Sequence, residues 1–538
     1  MSEPSAAPSL SKSAASITVA TALSRITGFV RVVVVASALG TTFLANTYQT
    51  ANTAPNVVFE LVAAGVLTSI FVPTFVDHLV RGRREEGWEA ANALTSVALV
   101  GMVGIAAIVA VAAPVIMWVL TAGVTDATLR DQEIALGASF LRLFAPQIVF
   151  YGAGMIITGA LHAHRRFAIA AVAPIFNNIV VIGVYLAYAA MRGNRPPLVG
   201  EITTGETLVL GLGTTLGVVA MTACLIPELR RIGWRFRFRF RPRHPAVRRG
   251  IRLGIWALGY AGGYQAGLII VLILANSVEG GVAAYQWAFT FFYLPHALFA
   301  IPIFHVLFTA MAEHVAKGEE EAYLDRLRDG LGMLAFLLFP TAALMGAAAH
   351  PITHVTLEYG VMSGTGADLV ARVLISFAIG LPGYSAFLIL TRAYYALGDT
   401  KTPTLVNAGT VALASAAGAL LFVALPDDWS VPGLALGHSI GFGAGAVVLG
   451  RSLAGRIGRL TSTRLVAAVS RAGLGSAAAL AAMLVVRTLF GVEGRLAYVL
   501  VLGGIAVVGI IIYAGLMRAW RAPELGRMRS ILPSTRRA

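Results

Sequence analysis

Charge is what this sequence has least of: of its 538 residues 12% are Asp, Glu, Lys or Arg, against 57% hydrophobic. Globular domains carry about 25% charged residues, so a soluble chain of this length would lack roughly half of its polar surface. Cysteine is nearly absent as well. The single Cys224 excludes an internal disulfide and any cysteine-cluster metal site, and among apolar neighbours it reads as a small core side chain. Also missing are a Walker lysine loop, a zinc spacing and a nucleophile elbow, so no catalytic residue, metal ligand or cofactor is assigned and the chain is not read as an enzyme. Residues 1–13 form a polar tail rich in Ser, Ala and Pro, without the basic head, apolar core and small-residue site of a cleavable signal. The first apolar span is therefore expected to be retained.

What the chain has in abundance is apolar length. Mean hydropathy is +0.78, and runs such as 92–120, 170–190 and 498–517 reach or exceed the ~20 residues a helix needs to cross hydrocarbon. The expected fold class is an all-α integral membrane protein. Segments parted by charge, Gly or Pro give about fourteen spans, centred near residues 27, 60, 105, 150, 178, 217, 263, 296, 338, 382, 412, 442, 475 and 507. The connections alternate in sign. Arg81, Arg83 and Arg84, then His164, Arg165 and Arg166, Arg230 to Arg249, Lys317 with Arg326 and Arg328, Lys401, Arg451 to Arg464 and the tail from Arg518 to Arg537 fall on one side. Asp126, Asp131, Glu133, Glu201, Glu206, Glu279, Glu358, Asp368, Asp427 and Asp428 fall on the other. Basic loops stay cytoplasmic, which predicts that both termini do too. The net charge of +15 is thus explained by topology, and no nucleic-acid partner is expected.

An internal duplication sets the larger organisation. Asp77-His78-Leu79-Val80-Arg81-Gly82 recurs as Glu313-His314-Val315-Ala316-Lys317-Gly318, and Tyr48-Gln49-Thr50-Ala51 recurs as Tyr285-Gln286-Trp287-Ala288, both about 236 residues on. Two matched pairs at one offset and one topological position favour duplication over chance similarity. An even number of spans separates the copies, so they share an orientation and are related by a pseudo-two-fold axis along the membrane normal. The expected domains are a polar N-terminal tail over 1–13, an N-lobe of six spans over 14–229, and a basic cytoplasmic linker over 230–250. A C-lobe of six spans over 251–460, two further spans over 461–520 and a basic tail over 521–538 complete the chain.

Ionisable groups inside spans are costly and mark function. The first span carries Arg25 and Arg31 in Ser24-Arg25-Ile26-Thr27-Gly28-Phe29-Val30-Arg31, six residues apart and offset by ~120° around a helix, so both can reach a wide cavity. The second holds Asn52, Asn56 and Glu60 around Pro55, a residue that breaks the helical ladder and is tolerated only beside protein or a wet cavity. Arg142 and Arg372 complete a cationic set suited to an anionic headgroup; both also lie where snorkelling to the outer interface explains them. Glu60 reads as a partner for an arginine rather than as a proton carrier, and Arg252 and Arg392 read as cytoplasmic-end anchors. Trp234-Arg-Phe-Arg-Phe-Arg-Phe-Arg241 reads as an interfacial linker docked on anionic phospholipids. His296, with Pro295 and Pro302, marks a kinked helix rather than a metal site, and His78 and His314 read as solvated. Small-xxx-small glycine patterns such as Gly441 and Gly445 serve close helix packing.

Several stretches resemble one family. Ser24-Arg25-Ile26-Thr27-Gly28-Phe29-Val30-Arg31, Pro55-Asn56 with Phe71-Val72-Pro73, Arg166-Phe167 with Ala173-Pro174 and Asn177, and above all Arg392-Ala393-Tyr394-Tyr395-Ala396-Leu397-Gly398-Asp399-Thr400-Lys401-Thr402-Pro403 are similar to the MurJ (MviN) lipid II flippases. These belong to the multidrug/oligosaccharidyl-lipid/polysaccharide (MOP) exporter superfamily. The resemblance runs along most of the first twelve spans. It implies fourteen spans in two six-helix lobes plus two C-terminal helices, a bacterial plasma (inner) membrane location, and export of lipid II during peptidoglycan synthesis by alternating access. The implied substrate-binding residues are Arg25 and Arg31 on the pyrophosphate, joined in the candidate set by Ser24, Asn52, Asn56, Glu60, Arg142 and Arg372. Lipid II, anionic phospholipids and cell-wall synthesis proteins are the expected partners. The chain departs from the family where charge is usual, at Asn46, at Phe59-Glu60 and at Phe289-Thr290. Alternatives are an exporter of another polyprenyl-linked saccharide, a small-molecule antiporter of the same superfamily, which calls for an acidic cavity, and a non-transporting scaffold for wall synthesis.

Overall fold

The computed structural model describes residues 10–66, 84–164, 166–193, 195–243, 247, 262–489 and 494–526. The first copy of the repeated motif, Asp77 to Gly82, together with Phe71-Val72-Pro73, Arg81, Arg83, Arg165, Arg249 and Arg252, lies outside them. Among the described residues every extended element is helical. The helices are α1 (Leu10–Leu39), α2 (Phe43–Val66), α3 (Arg84–Leu120), α4 (Ala127–Phe144), α5 (Gln147–Ala163), α6 (Ala168–Arg192), α7 (Thr204–Ala223) and α8 (Ile226–Arg231). They continue as α9 (Gly262–Ala275), α10 (Gly281–Pro295), α11 (Ile301–Lys317), α12 (Glu320–Leu357), α13 (Gly364–Ala396), α14 (Lys401–Ala424), α15 (Asp427–Ile457), α16 (Thr463–Leu489) and α17 (Arg495–Ala519).

With α4 continuing into α5, α7 into α8 and α10 into α11, these helices make twelve stretches long and apolar enough to cross a membrane, so the chain is a multi-pass membrane protein. The sequence predicts about fourteen; the other two, centred near 60 and 263, coincide with α2 and α9, which adjoin undescribed residues. Local chemistry sets the boundaries. Asp126 accepts the Leu129 N–H at 2.9 Å to start α4, and Thr203 with Glu206 forms a capping box for α7. α11 ends on Gly318, whose left-handed φ of 73° closes the helix without a Cβ penalty. Two proline expectations resolve differently. α2 runs unbroken through Pro55, with the Thr53 hydroxyl and the Asn56 amide donating to the Gln49 and Asn52 carbonyls at 2.7 and 2.8 Å. After Pro295 the helix instead widens into a π-turn over His296–Ala300.

The chain divides into two compact units. The first comprises Met1–Gln265 with Asn276–Val282 and Tyr359–Met362. In it α1 packs on α6, α6 on α7, and α2 and α3 on α4. Tyr48 sits at its centre, edge-on to Phe140, Phe144 and Tyr185 at 5.4–5.7 Å. The buried Asn46 explains one departure from the family pattern: its amide donates to Val278 O at 2.8 Å while its oxygen accepts the Val282 N–H at 3.0 Å. An aspartate there could serve only the second bond. Glu133, grouped by sequence with the outer acidic loops, is fully buried. The reason is that α4 starts at Ala127, which puts Glu133 well inside the helix, where Thr47 donates to it at 3.2 Å.

The second unit comprises Ala266–Ala275, Ala283–Glu358 and Ser363–Ala538. Its centre is α13 against α12 and α15, with α14 against α15. Tyr285, the repeat partner of Tyr48, is again buried against an aromatic ring, Phe377 at 5.0 Å. α16 and α17 pack on α12 through Met333, Phe336, Met483, Ile505 and Met517, and the Tyr513 hydroxyl donates to Phe336 O at 2.7 Å.

Candidate functional site

Six of the eight sequence-designated residues belong to the first unit's α1 and α2. Arg31 is half-buried, and its charge reaches Tyr48, Tyr151 and Tyr185. Arg25, six residues earlier, is exposed. Between them α1 is fastened to α6, since the Asn178 amide donates to Thr27 Oγ1 at 3.0 Å and to the Ser24 carbonyl at 3.4 Å. Across on α2, Asn52 keeps a buried Oδ1 without a hydrogen-bond partner among the described residues, and Asn56 is half-buried beside it. Phe59, where the family pattern carries charge, instead lies on Tyr151 at 5.1 Å. Glu60 is exposed, and the buried Gln265 donates to its carboxylate. No sequence spacing pointed to Gln265, which stands 205 residues away. Arg142 is exposed on α4. Arg372 lies in the second unit, half-buried on α13, with its Nε buried and unpartnered among the described residues.

The second unit holds a cavity of about 200 Å³ lined by Tyr293, His296, Phe304, His305, Leu388 and Arg392. From sequence Arg392 reads as a cytoplasmic-end anchor and His296 as the mark of a kinked helix, the latter matching the π-turn at His296–Ala300. The structure brings both to this aromatic-walled space, with His296 Nδ1 2.8 Å from Ser385 Oγ. Phe289, the other charge-replaced position, packs against Phe377 at 5.5 Å and Phe292 at 5.6 Å, and Thr290 turns its hydroxyl back to the Gln286 carbonyl at 3.0 Å. At Phe59 and Phe289, then, the place of a usual charge is filled by a ring that packs on another ring.

The most specific stretch of sequence, 392–403, folds into a junction. Asp399 accepts the Thr402 N–H at 3.0 Å, the Thr402 hydroxyl at 2.7 Å and the Arg456 guanidinium, while Arg456 also lies over the Tyr394 ring at 5.5 Å. Burial pushes the Asp399 carboxyl up, but these donors outweigh it and hold its pKa at about 2. Because that lies below the unfolded value of about 3.9, the stabilisation is complete above pH ~4 and is lost as pH falls towards 2. Asp399→Asn is therefore expected to lower the thermal unfolding midpoint of the purified protein at neutral pH. The gap to the parent should close as the pH is lowered through that window, and a gap that persists at pH 2 would contradict the assignment.

The aromatic-basic linker is also built into the first unit. The Asn92 oxygen accepts the Trp234 indole N–H at 3.0 Å and the Arg237 N–H at 3.2 Å, and Ser96 accepts the Arg239 N–H at 2.8 Å. Trp234 is buried in a stack with Trp88, whereas Phe236, Phe238 and Phe240 are exposed. Asn92→Ala removes the acceptor common to two of these bonds. It is expected to release the segment, which limited trypsin digestion would detect as faster cleavage after Arg235 to Arg243; an unchanged cleavage rate would show that the segment is held by other means.

Two units of membrane-crossing helices in one chain, the first with Arg31 half-buried on its opening span and the second with Arg392 at an aromatic-walled cavity, define a polytopic membrane protein. The solved structure of "Lipid II flippase MurJ, inward closed conformation" matches with a TM-score of 0.76 at 19% identity, covering 94% of this chain and 98% of that one. An inward-facing multidrug resistance MATE transporter of the MOP superfamily matches at 0.64 and 12% identity, over 83% and 95%. The family model for lipid II flippase MurJ matches residues 35–513, and the chain belongs to that family. Among curated relatives, a probable lipid II flippase MurJ of Rhizobium tropici is 29% identical over 80% of this chain and 78% of its own length. The lipid II flippase MurJ of Burkholderia cenocepacia is 26% identical over 73% and 74%.

Proposed function

We propose that this chain moves the pyrophosphate–sugar–peptide headgroup of lipid II from the inner to the outer leaflet, with both termini cytoplasmic and with 14–229 and 251–460 as the two rocking lobes. The observation that carries the reading is Arg31: a half-buried guanidinium on the first span, whose charge reaches Tyr48, Tyr151 and Tyr185, in a chain of the flippase family. A charged head crossing ~30 Å of hydrocarbon costs several kcal/mol per charge unless a polar passage replaces water. Arginine forks suit phosphate because they bind it bidentately. Arg25 and Arg31 take the pyrophosphate, while Ser24, Asn52 and Asn56 offer hydroxyl, carbonyl and amide groups to the sugars. Outward movement of an anion from an electrically negative cytoplasm gains about 2.3 kcal/mol per charge per 100 mV, so the membrane potential drives the step. The basic linker and its exposed phenylalanines sit on anionic phospholipid. The aromatic replacements at Phe59 and Phe289 favour, as a second reading, the head of another polyprenyl-linked saccharide. Depletion of the protein, followed by quantification of lipid II reachable from outside the cell, tests the proposal. Loss of outer-leaflet lipid II supports it, whereas unchanged lipid II with another polyprenyl-linked saccharide trapped inside would replace the substrate.

A further inference from the structure

His350 and His354 stand four residues apart on α12, so their rings share one face, and Asp368 comes from α13, four residues after its start at Gly364. The three converge. His350 Nδ1 lies 2.8 Å and His354 Nε2 3.0 Å from the same Asp368 Oδ1, and one donor atom from each residue falls within 4.8 Å of the others. The remote nitrogen of His354, Nδ1, is 2.6 Å from Glu358 Oε2, and its ring stacks on Tyr498 at 4.4 Å with 7° between planes. Arg495 in turn donates to the Glu358 carbonyl at 2.8 Å. His354 is thus fixed in orientation by the Glu358 carboxylate just past the end of α12, on the nitrogen facing away from Asp368, and by Tyr498 of α17. Metal-ligating histidines are held this way, because a carboxylate behind the ring fixes the tautomer and raises the basicity of the ligating nitrogen.

We propose that His350 Nδ1, His354 Nε2 and Asp368 Oδ1 bind a divalent transition-metal ion, with Zn²⁺ the best match, and that Glu358 orients His354. Two imidazoles and one carboxylate are borderline ligands that suit Zn²⁺ over Mg²⁺ or Ca²⁺, which call for oxygen alone. Three protein ligands leave a fourth position for water. The Asp368 and Glu358 side chains are 38% and 41% exposed, so the cluster is open to an incoming ion. The bound ion would join α12, α13 and, through Tyr498 and Arg495, α17, so it stabilises the second unit and is independent of the headgroup site in the first.

The test uses the full-length protein in detergent, stripped with chelator and then titrated with ZnCl₂. Uptake of one ion per chain and a rise in the unfolding midpoint are expected. Co²⁺ should give the visible absorption of a low-coordinate nitrogen–oxygen site. His354→Ala and Asp368→Asn should abolish both signals, and Glu358→Gln should weaken affinity roughly 10–100-fold. His314→Ala, remote in sequence, should leave them unchanged. Variants are compared only where their metal-free midpoints match the parent. Absence of Zn²⁺ uptake by the parent, or uptake unchanged in the His354 and Asp368 variants, would overturn the proposal and leave a hydrogen-bonded cluster only. Neither result bears on lipid export, which depends on other residues.

Discussion

Arg31→Ala is expected to reduce lipid II export by roughly ten- to a hundredfold while the protein still reaches the membrane at parental abundance. A charge-assisted bond is worth about 1.5–3 kcal/mol, and each 1.4 kcal/mol is a factor of ten. Arg31 is half-buried, and the groups its charge reaches are tyrosines. Losing it therefore removes a donor from a sheltered position, where water substitutes poorly. Arg31→Lys keeps the charge and loses the fork, so an intermediate rate is expected. Arg25→Ala should cost less, because Arg25 is exposed and solvent screens its contribution. The measurement is lipid II reachable by an externally added probe in cells whose own copy has been depleted. Export by Arg31→Ala at the parental rate would remove the headgroup assignment, and equal losses at Arg25 and Arg31 would remove the distinction between them.

How much of this was legible in the sequence follows the range of each interaction. Apolar runs are local, so the helical class reads directly from the sequence; the end signals at Asp126, Thr203 and Gly318 are local too, but it is the structure that shows them bounding α4, α7 and α11. Partners far along the chain could not. Glu60 reads as an arginine's partner because arginines abound in neighbouring spans, yet Gln265 donates to it from 205 residues away. Glu133 reads as a loop acid because Asp126 and Asp131 flank it, and only the helix start at Ala127 buries it. The His350–His354 spacing is a local signal that carries little alone, because its third member, Asp368, arrives only through the packing of α12 against α13. The charge departures at Asn46, Phe59 and Phe289 were legible as differences but not as solutions. Each is answered by a tertiary partner, respectively the turn at Val278, Tyr151 and Phe377.

The largest stability effect is expected at Gly437. Gly433, Gly437 and Gly441 lie four residues apart along one face of α15, against α14. A Cβ on Gly437 would fall well inside contact distance of the Gly418 Cα and N and 2.7 Å from the Ala414 carbonyl oxygen; one on Gly441 would meet the Ala414 Cα at 2.8 Å. These are backbone atoms, so no rotamer change relieves the clash and the helices must separate. In a bilayer no hydrophobic force drives separated helices back together, since lipid is as apolar as the side chains. Overpacking costs about 1–3 kcal/mol even where side chains can adjust, so Gly437→Ala should lie at or above the top of that range, and Gly437→Leu beyond it. Gly443 supplies the contrast. It lies on the same helix, and a Cβ there meets nothing within 4 Å, so Gly443→Ala should show only the gain in helix propensity, about 1 kcal/mol in the stabilising direction. Two identical substitutions six residues apart are thus expected to shift the detergent unfolding midpoint in opposite directions. A Gly437→Ala protein as stable as its parent would mean that α14 and α15 stand further apart than their glycines imply.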